Sequence, residues 1–360
     1  MVKILLLPRY DRLGASSRMR SYQYVPWLEK EGFEVAVSPL FSDEYVLGLQ
    51  QGRKSLRAAL NAYGRRVKAL LSSRCYDLLM IEKECFPWLP ASIERYLMAS
   101  DIPYIIDYDD AVFHYYDKHG SLLVRSILGH KHKDIIRSAA LVTVGNEYLA
   151  GYAQGARAKW VEIVPTVVDL DHYISRVWSA DSSSRRPRIG WIGQRSTAKY
   201  LDTLIPVMQR LSDEGIARFV AIGIDAAAVG LPMESVAWSV ETEVVEIQSL
   251  DIGLMPLMDN PFERGKCGYK LIQYMACGIP VVASPVGVNR QLVEHGVNGF
   301  LASTREEWER SLRTLIGDPV LRQRMGRAGR RKVEKEYAIQ VTGSRMAHLL
   351  RTVISKSSRG

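Results

Sequence analysis

Residues 265–284, with the sequence GKCGYKLIQYMACGIPVVAS, hold a basic glycine-bearing loop, a short helical pattern and an apolar run in direct succession. Gly278 follows the helical pattern, where a glycine commonly ends a helix. The apolar run at 281–283 shows no alternation with polar residues, which is typical of a strand that is covered on both faces of a parallel sheet. The segment therefore predicts an α/β fold.

The same alternation of apolar runs and helical patterns continues through the chain. One series of runs lies at 4–7, 35–37, 78–81, 104–106 and 141–144, and a second series lies at 189–192, 219–222, 252–255 and 281–283. A serine-rich polar stretch separates the two series and is typical of a linker. The chain of 360 residues is long enough for two cores.

We therefore predict two doubly wound, Rossmann-like domains that face each other across a cleft. Their predicted bounds are residues 1–175 and 187–335, joined by a linker at 176–186. Residues 336–360 contain a helical pattern that can pack on either domain, including back on the first.

The net charge of +9 is unevenly distributed. Residues 53–74 contain no acid and seven cations, which are Arg53, Lys54, Arg57, Arg65, Arg66, Lys68 and Arg74. Leucines at roughly helical spacing accompany them, and a basic amphipathic helix can bind an anionic membrane surface. A solvated helix face is the alternative.

Two observations bear on the compartment. The apolar runs are too short to span a bilayer, and the first run is too short for a secretion signal. The spacing of the four cysteines suits neither a disulfide framework nor a zinc site. We expect a cytoplasmic protein that can be peripheral on the inner face of the cell membrane.

Ligands of open parallel sheets bind beyond the carboxyl ends of the strands, so the loops there are the candidate sites. Gly14 and Ala15 lie in the first such loop, where small residues let a helix N-terminus approach a phosphate. The loop does not read G-x-G-x-x-G, and a serine-capped helix start is the alternative. After the first run of the second series come Gly193, Arg195 and Lys199, whose cations favour a bound anion over a solvated pair.

The loop before residue 274 is the richest of these loops. Lys266 and Lys270 are spaced by one helical turn and can face one diphosphate. The loop is not a G-x-x-x-x-G-K-[ST] phosphate loop, because Asn260 and Cys267 replace the glycine and the hydroxyl residue.

Residues 274–284 resemble the donor-site signature of retaining GT-B glycosyltransferases of the family 4 (glycosyl transferases group 1) type. Supporting stretches lie at 144–149, 164–169, 251–257, 294–301 and 321–326. The resemblance implies a GT-B fold whose first domain binds the acceptor and whose second domain binds a nucleoside diphosphate sugar. It also implies transfer of the sugar with retention at the anomeric carbon and without a metal cofactor.

The resemblance assigns Arg195 and Lys199 to the diphosphate, and Lys266 and Lys270 to the phosphates or the donor sugar. The other candidate donor contacts are Gly14, Ala15, Gly193, Gly265, Cys267, Gly268, Tyr269 and Gln273. The chain departs from the family pattern at Gly265 and Gln273, where two glutamates are common. Gln273 can still bind a ribose hydroxyl, and Glu263 can substitute for the missing first glutamate.

Many members of the family carry a histidine where this chain has Asp109 and Asp110. A carboxylate there can accept or orient the proton of the acceptor hydroxyl, and helix capping is the alternative. Lys266 joins these two aspartates as a catalytic candidate. Glu82, Glu84 and His114 are candidate acceptor contacts, with a structural role as the alternative for His114.

The expected acceptor is a glycan or a lipid-linked sugar of bacterial cell-surface polysaccharide synthesis, such as that of lipopolysaccharide. A GT-B sugar-nucleotide epimerase and a non-catalytic sugar-nucleotide binder are the alternatives. Paired carboxylates also suit glycoside hydrolysis, but that reaction involves no phosphate for the basic loops to bind. We expect no nucleic acid as a partner, because Tyr63 is the single aromatic residue in 53–74 and no recognition motif occurs.

Overall fold

The computed structural model describes residues 1–50, 52–53, 55–98, 102–178 and 185–357. The described chain forms two compact units, and each unit contains a six-stranded sheet with parallel strands. The first unit comprises Met1–Thr166, Gly265–Cys267 and Ile339–Gly360, and the second comprises Val167–Arg264 and Gly268–Ala338. The predicted α/β fold with two parallel sheets is confirmed.

The sheet of the first unit has the order β2-β1-β3-β4-β5-β6. Its strands are β1 (Val2–Leu7), β2 (Phe33–Val37), β3 (Leu78–Glu82), β4 (Tyr104–Tyr108), β5 (Leu141–Val144) and β6 (Val161–Ile163). The helices are α1 (Ala15–Arg20), α2 (Val25–Lys30), α3 (Asp43–Gln50), α4 (Leu56–Leu71), α5 (Ala91–Leu97), α6 (His114–Asp117), α7 (Leu122–Leu128), α8 (Lys131–Ser138) and α9 (Glu147–Gly155). The strand order reverses between β1 and β3, so the loops after these two strands flank the crevice where such sheets bind ligands.

The sheet of the second unit has the order β12-β11-β10-β7-β8-β9, which is the strand order of dinucleotide-binding folds. Its strands are β7 (Arg188–Ile192), β8 (Arg218–Ile222), β9 (Glu234–Val236), β10 (Ile252–Met255), β11 (Val281–Ala283) and β12 (Gly299–Leu301). The helices are α10 (Arg195–Ala198), α11 (Ile205–Asp213), α12 (Glu243–Gln248), α13 (Pro261–Arg264), α14 (Tyr269–Ala276), α15 (Asn289–Leu292), α16 (Arg305–Gly317) and α17 (Pro319–Glu336). Here the order reverses between β7 and β10, which identifies the ligand-binding edge of this sheet.

The last helix, α18 (Ile339–Ser357), belongs to the first unit and packs on α2. A Cβ at Gly343 would lie 2.8 Å from the ring of Trp27, so the glycine permits this close approach. The hydroxyls of Tyr24 and Thr342 are 3.1 Å apart.

The chain passes from the first unit to the second between Thr166 and Val167. The predicted linker at 176–186 stays a prediction, because residues 179–184 lie outside the described residues.

The predicted basic helix is α4, and Arg57, Arg65 and Lys68 are exposed on it. Arg66 was predicted as one of the cations of this basic helix, but it is not part of the charged surface. Its guanidinium is buried and donates to the carbonyl oxygens of Pro8 at 2.7 Å and Ser38 at 3.1 Å. Lys54 lies outside the described residues. No helix in the described ranges is long and apolar enough to cross a membrane.

Candidate functional site

A buried lysine organises the carboxyl ends of β3 and β4 in the first unit. Lys83 Nζ lies 2.7 Å from Asp109 Oδ1 and 3.5 Å from Glu82 Oε1, and it donates to Ser16 Oγ at 3.0 Å. The backbone of Lys83 has φ +64°, a conformation that non-glycine residues rarely adopt. The surrounding contacts hold the residue in this turn, which brings its ammonium group to Asp109.

The ion pair keeps Asp109 charged. Burial raises the pKa of Asp109, but the charge and hydrogen bond of Lys83 outweigh this effect, so the pKa lies below its ordinary value. Burial likewise lowers the pKa of Lys83, and the charges of Asp109 and Glu82 more than compensate. Asp109 therefore acts as a buried counter-ion that fixes the start of the loop.

Asp110 is the more accessible of the two aspartates. Its side chain is 28% exposed, against 11% for Asp109, and Lys266 Nζ lies 3.7 Å from its Oδ1. The helix-capping alternative is wrong, because α6 begins at His114 and no side chain caps it. Of the two carboxylates, Asp110 is the one that a ligand can reach.

Side chains of the protein itself contact the polar groups of the three candidate acceptor residues, although Glu82 Oε1 has no hydrogen-bond partner. Glu82 Oε2 accepts from Ser17 Oγ at 2.6 Å, and Glu84 Oε2 lies 2.6 Å from Lys131 Nζ. His114 bonds through Nδ1 to Asp117 and through Nε2 to Tyr148, both at 2.8 Å. These contacts favour structural roles, and the predicted acceptor contacts stay predictions.

Gly14 precedes α1, and a Cβ on it would lie 2.4 Å from Tyr10 Cβ. No side chain caps α1, so the alternative of a serine-capped helix is wrong. The hydroxyls of Ser16 and Ser17 bond Lys83 and Glu82 instead. Gly14 and the exposed Ala15 keep this edge free of large side chains, and their role in donor binding stays a prediction.

The segment Gly265–Cys267 packs within the first unit. Asn146 Nδ2 donates to the carbonyl oxygens of Gly265 at 2.9 Å and Lys266 at 3.1 Å, and Cys267 Sγ lies 3.0 Å from the carbonyl oxygen of Asp109. A Cβ at Gly265 would lie 2.6 Å from Ala111 Cβ and 2.9 Å from its backbone nitrogen. A glutamate, or any other side chain, therefore does not fit at Gly265 without moving the backbone.

Lys266 and Lys270 do not lie one helical turn apart, so that prediction is wrong. Helix α14 begins only at Tyr269, and Gly268 before it has φ +66°. A left-handed residue at this position changes the direction of the chain, so Lys266 lies in the preceding loop.

In the second unit, Lys270 reaches the loop that follows β7. A Cβ at Gly193 would lie 2.4 Å from the Trp191 ring and 3.1 Å from Lys270 Cε. Lys270 Nζ lies 4.9 Å from the centroid of the Trp191 ring. Arg195, the first residue of α10, and Lys199 are exposed just beyond this loop. The structure thus brings Gly193 and Lys270 together at the edge where the strand order reverses.

Glu263, on α13 after β10, is buried at this same edge of the sheet. Its Oε1 accepts a hydrogen bond from the Tyr200 hydroxyl, and its Oε2 has no hydrogen-bond partner. A buried carboxylate oxygen without a partner is costly, and a catalytic role or a bound water or ion can account for one.

Gln273 belongs to a buried polar network that the sequence did not predict. Its Nε2 donates to the Tyr173 hydroxyl at 2.9 Å, and that hydroxyl donates to Glu243. Trp238 Nε1 also donates to Glu243, at 2.6 Å, and Tyr269 OH lies 2.9 Å from Tyr173 OH. Burial raises the pKa of Tyr173 well above its ordinary value, so the phenol stays neutral. No motif marks Tyr173 or Glu243, because their roles depend on contacts across 70 and 100 residues of chain.

In the part of the chain that the structure describes, no group of three or more His, Cys, Asp or Glu side chains is arranged to hold a metal ion.

Residues 186–318 match the model of the family described as glycosyl transferases group 1. The match covers β7 to β12 and all of α16, including Gly193, Glu263 and Lys270. The similarity to this family therefore lies in the second of the two sheet-containing parts of the chain. Among curated proteins, none shows significant similarity to the chain.

Solved structures resemble the chain over almost its full length. Sucrose-phosphate synthase from Thermosynechococcus elongatus is 16% identical with a TM-score of 0.76, and the match covers 99% of this chain and 100% of that one. HepE from Anabaena, solved in complex with UDP-glucose, is 16% identical with a TM-score of 0.71, covering 98% and 100%. A glycosyltransferase from Rickettsia africae is 10% identical with a TM-score of 0.67, covering 98% of each chain. At these identities the likeness establishes the GT-B fold.

Proposed function

We propose that this protein is a retaining glycosyltransferase of the family 4 type, which transfers a sugar from a nucleoside diphosphate donor to a hydroxyl of a glycan or lipid-linked acceptor. The main support for the proposal is the position of Gly193, Lys270 and Glu263, which lie at the ligand-binding edge of the second sheet. This sheet belongs to the part of the chain that matches the group 1 family.

The diphosphate binds at the loop after β7. Gly193 keeps the backbone accessible, and Lys270, Arg195 and Lys199 supply positive charge. Cations fixed near the diphosphate stabilise the charge that develops on it when the sugar leaves. HepE was solved with UDP-glucose, which makes UDP the first nucleotide to test.

Two side chains of the second unit bind the rest of the donor. The free Oε2 of Glu263 accepts a hydrogen bond from a sugar hydroxyl and so replaces the glutamate missing at Gly265. Because the Gln273 amide nitrogen is used by Tyr173, its oxygen is the group that accepts a bond from a ribose hydroxyl.

In the transfer step, the bond between the anomeric carbon and the diphosphate oxygen breaks, and its electron pair leaves with the diphosphate. The acceptor oxygen bonds to the same face of the anomeric carbon, and its proton passes to the leaving diphosphate. Asp110 orients the acceptor hydroxyl, and Lys266 supplies positive charge beside it. Asp109, held by Lys83, keeps the loop of Asp110 in place.

We place the reaction at the cytoplasmic surface of the bacterial membrane, in the synthesis of a cell-surface polysaccharide. The exposed cations Arg57, Arg65 and Lys68 on α4 support binding to anionic lipid. A lipid-linked acceptor is presented at such a surface.

A thermal-shift series with UDP, GDP and ADP, each with and without EDTA, tests donor binding. One nucleotide should raise the melting temperature in both conditions, because a ligand of the native state stabilises it. Radiolabelled UDP-glucose is then incubated with and without bacterial membrane extract. Transfer of the label only with extract supports the proposal, whereas epimerised donor without extract identifies an epimerase, and binding without turnover identifies a sugar-nucleotide binder. Asp110→Asn should slow the transfer and leave the UDP melting shift unchanged.

A further inference from the structure

The first unit contains a cavity of about 350 Å³ beside the cluster around Lys83, since Arg9 of its lining donates its backbone N–H to Glu82 Oε2 at 3.0 Å. It lies between α3, α4 and the loops that follow β1, β2 and β3. Its volume is at the lower end of the range of small-molecule sites.

The walls of the cavity are aromatic and aliphatic. Phe41 and Tyr45 stack with their ring centroids 4.4 Å apart, and Tyr63 packs beside them with its hydroxyl donating to the carbonyl oxygen of Pro87. The tyrosine ring therefore faces the cavity while its polar tip is bonded elsewhere. At the rim, Leu60 is 63% and Trp88 53% exposed. Grouped exposed apolar side chains around an apolar cavity favour an apolar occupant.

Among the described residues that line the cavity, Arg9 is the single charged one. Its NH1 group lies 3.3 Å from Glu84 Oε1, and its Nε is buried without a hydrogen-bond partner. The guanidinium thus keeps a donor for an oxygen of the occupant. An apolar body with an anionic end matches this combination.

The surroundings match the surface of an anionic membrane. The cations of α4 lie on the same helix that lines the cavity, and Trp88 packs edge-on against His119 at 5.9 Å, close to the start of α7. Leu122 and Leu123 of α7 are 75% and 69% exposed. Exposed leucines beside exposed cations are typical of a surface that contacts anionic lipid.

We propose that this cavity holds the hydrocarbon chain of the anionic lipid that carries the acceptor, with Arg9 near its phosphate. The assignment of this lipid as the acceptor carrier depends on the proposed function, whereas lipid binding by the cavity does not. The cavity would then select acceptors by their chain as well as by their sugar.

The test is calorimetric titration of the full chain with decyl phosphate below its micellar concentration, without any donor. Decyl phosphate should bind at least about tenfold more tightly than methyl phosphate, because only the former buries methylene groups. It should also bind more tightly than decanol, which lacks the charge. Equal affinity for decyl and methyl phosphate, or for decyl phosphate and decanol, would overturn the proposal.

Two pairs of variants locate the binding. Ala59 lines the cavity and Ala58 does not, so Ala59→Phe should weaken decyl phosphate binding at least about tenfold and Ala58→Phe should leave it unchanged. Leu60→Asn, at the exposed rim, should weaken it, while Leu71→Asn, equally exposed on the same helix, should not. Because Leu60 and Leu71 are exposed, the second pair keeps the test valid if Ala59→Phe does not fold. Unchanged binding in Leu60→Asn and in any folded Ala59→Phe would overturn the proposal.

A parallel titration with UDP separates the two proposals. UDP affinity should be the same in Leu60→Asn as in the native chain, since the cavity lies in the first unit and the residues to which the proposed function assigns the donor, Gly193, Lys270 and Glu263 among them, lie in the second. If the native chain does not bind UDP, the proposed donor site is wrong, and the result for decyl phosphate is unaffected.

Discussion

Lys83 Nζ and Asp109 Oδ1 are 2.7 Å apart, although the two residues follow different strands of the sheet and are 26 positions apart in the chain. Both side chains are largely buried, and the pair links the loop after β3 to the loop that carries Asp110. The accessible carboxylate of this edge is therefore positioned by a charge pair that solvent barely reaches.

Removing the Lys83 ammonium group should lower the free energy of unfolding. Lys83→Met leaves Asp109 and Glu82 buried beside each other without their cation, and we expect a loss of about 3–5 kcal/mol in the free energy of unfolding, measured by urea denaturation. Lys3→Met, which removes an exposed partner of Glu34, is the control and should cost less than about 1 kcal/mol. Equal effects of the two variants would contradict the structural role of Lys83.

Restoring the family's glutamate should damage the fold. Gly265→Glu forces a side chain against Ala111, and we expect a loss of roughly 1–3 kcal/mol by thermal denaturation. Gly151→Glu adds the same side chain on α9, where no atom lies within 4 Å of a Cβ, and should be neutral or slightly stabilising. A Gly265→Glu variant as stable as the native chain would show that the loop has room after all.

Donor binding should depend on the exposed arginine at the start of α10. Arg195→Ala should weaken UDP binding by about 1–3 kcal/mol in calorimetry, the range for a hydrogen bond to a charged group. Arg210→Ala removes an arginine that pairs with Glu309 on the same unit and should leave UDP affinity unchanged. If Arg195→Ala binds UDP as the native chain does, the diphosphate lies elsewhere.

His132 should make folding sensitive to acid. Burial lowers its pKa from 6.5 to about 4, even though the Glu84 carboxylate opposes the shift. Between these values the unfolded chain binds a proton that the folded chain does not, so stability falls as the pH drops from 6.5 towards 4, by about 3 kcal/mol in total. The full contribution is present above pH 6.5.

Urea unfolding at a series of pH values measures this slope. His132→Gln should flatten it, while the exposed His348→Gln should leave it as in the native chain. A slope that survives in His132→Gln would assign the acid sensitivity to other groups.

Membrane binding should follow the exposed cations of α4. Replacing Arg57, Arg65 and Lys68 by Glu should release the protein from vesicles that contain phosphatidylglycerol, as measured by co-sedimentation. The same charge change at Arg305, Arg310 and Arg324, exposed on α16 and α17, is the control and should not release it. Absence of the native protein from the vesicle pellet would remove the membrane from the proposal.

Most of the fold could be predicted because buried parallel strands have continuous apolar sequences. Each of the nine apolar runs became part of a strand. The strands that escaped prediction were β6, β9 and β12, and all three lie at sheet edges. Their residues are mostly half-buried or exposed, so they lack the apolar run that marks an inner strand.

The candidate site was less predictable, because its geometry depends on packing between distant segments. The importance of Gly265 lies in its contact with Ala111, which no local pattern reveals. Lys83 gives no signal either, since its role follows from a left-handed turn and a partner on another strand. Gly193 and Lys270 were predicted as donor contacts because glycines and cations after strands have a recognisable pattern, and the structure places the two near each other.

The position of α18 has a consequence for how the protein is synthesised. The sheet of the first unit is complete by Ile163, but the helix that packs against Trp27 begins at Ile339. During translation, the face of α2 that packs on α18 therefore stays uncovered until the whole second unit has emerged from the ribosome. Helix α2, which is made before the second unit, is thus fully protected only after it, and a chain released early would expose the ring of Trp27 to chaperones and proteases.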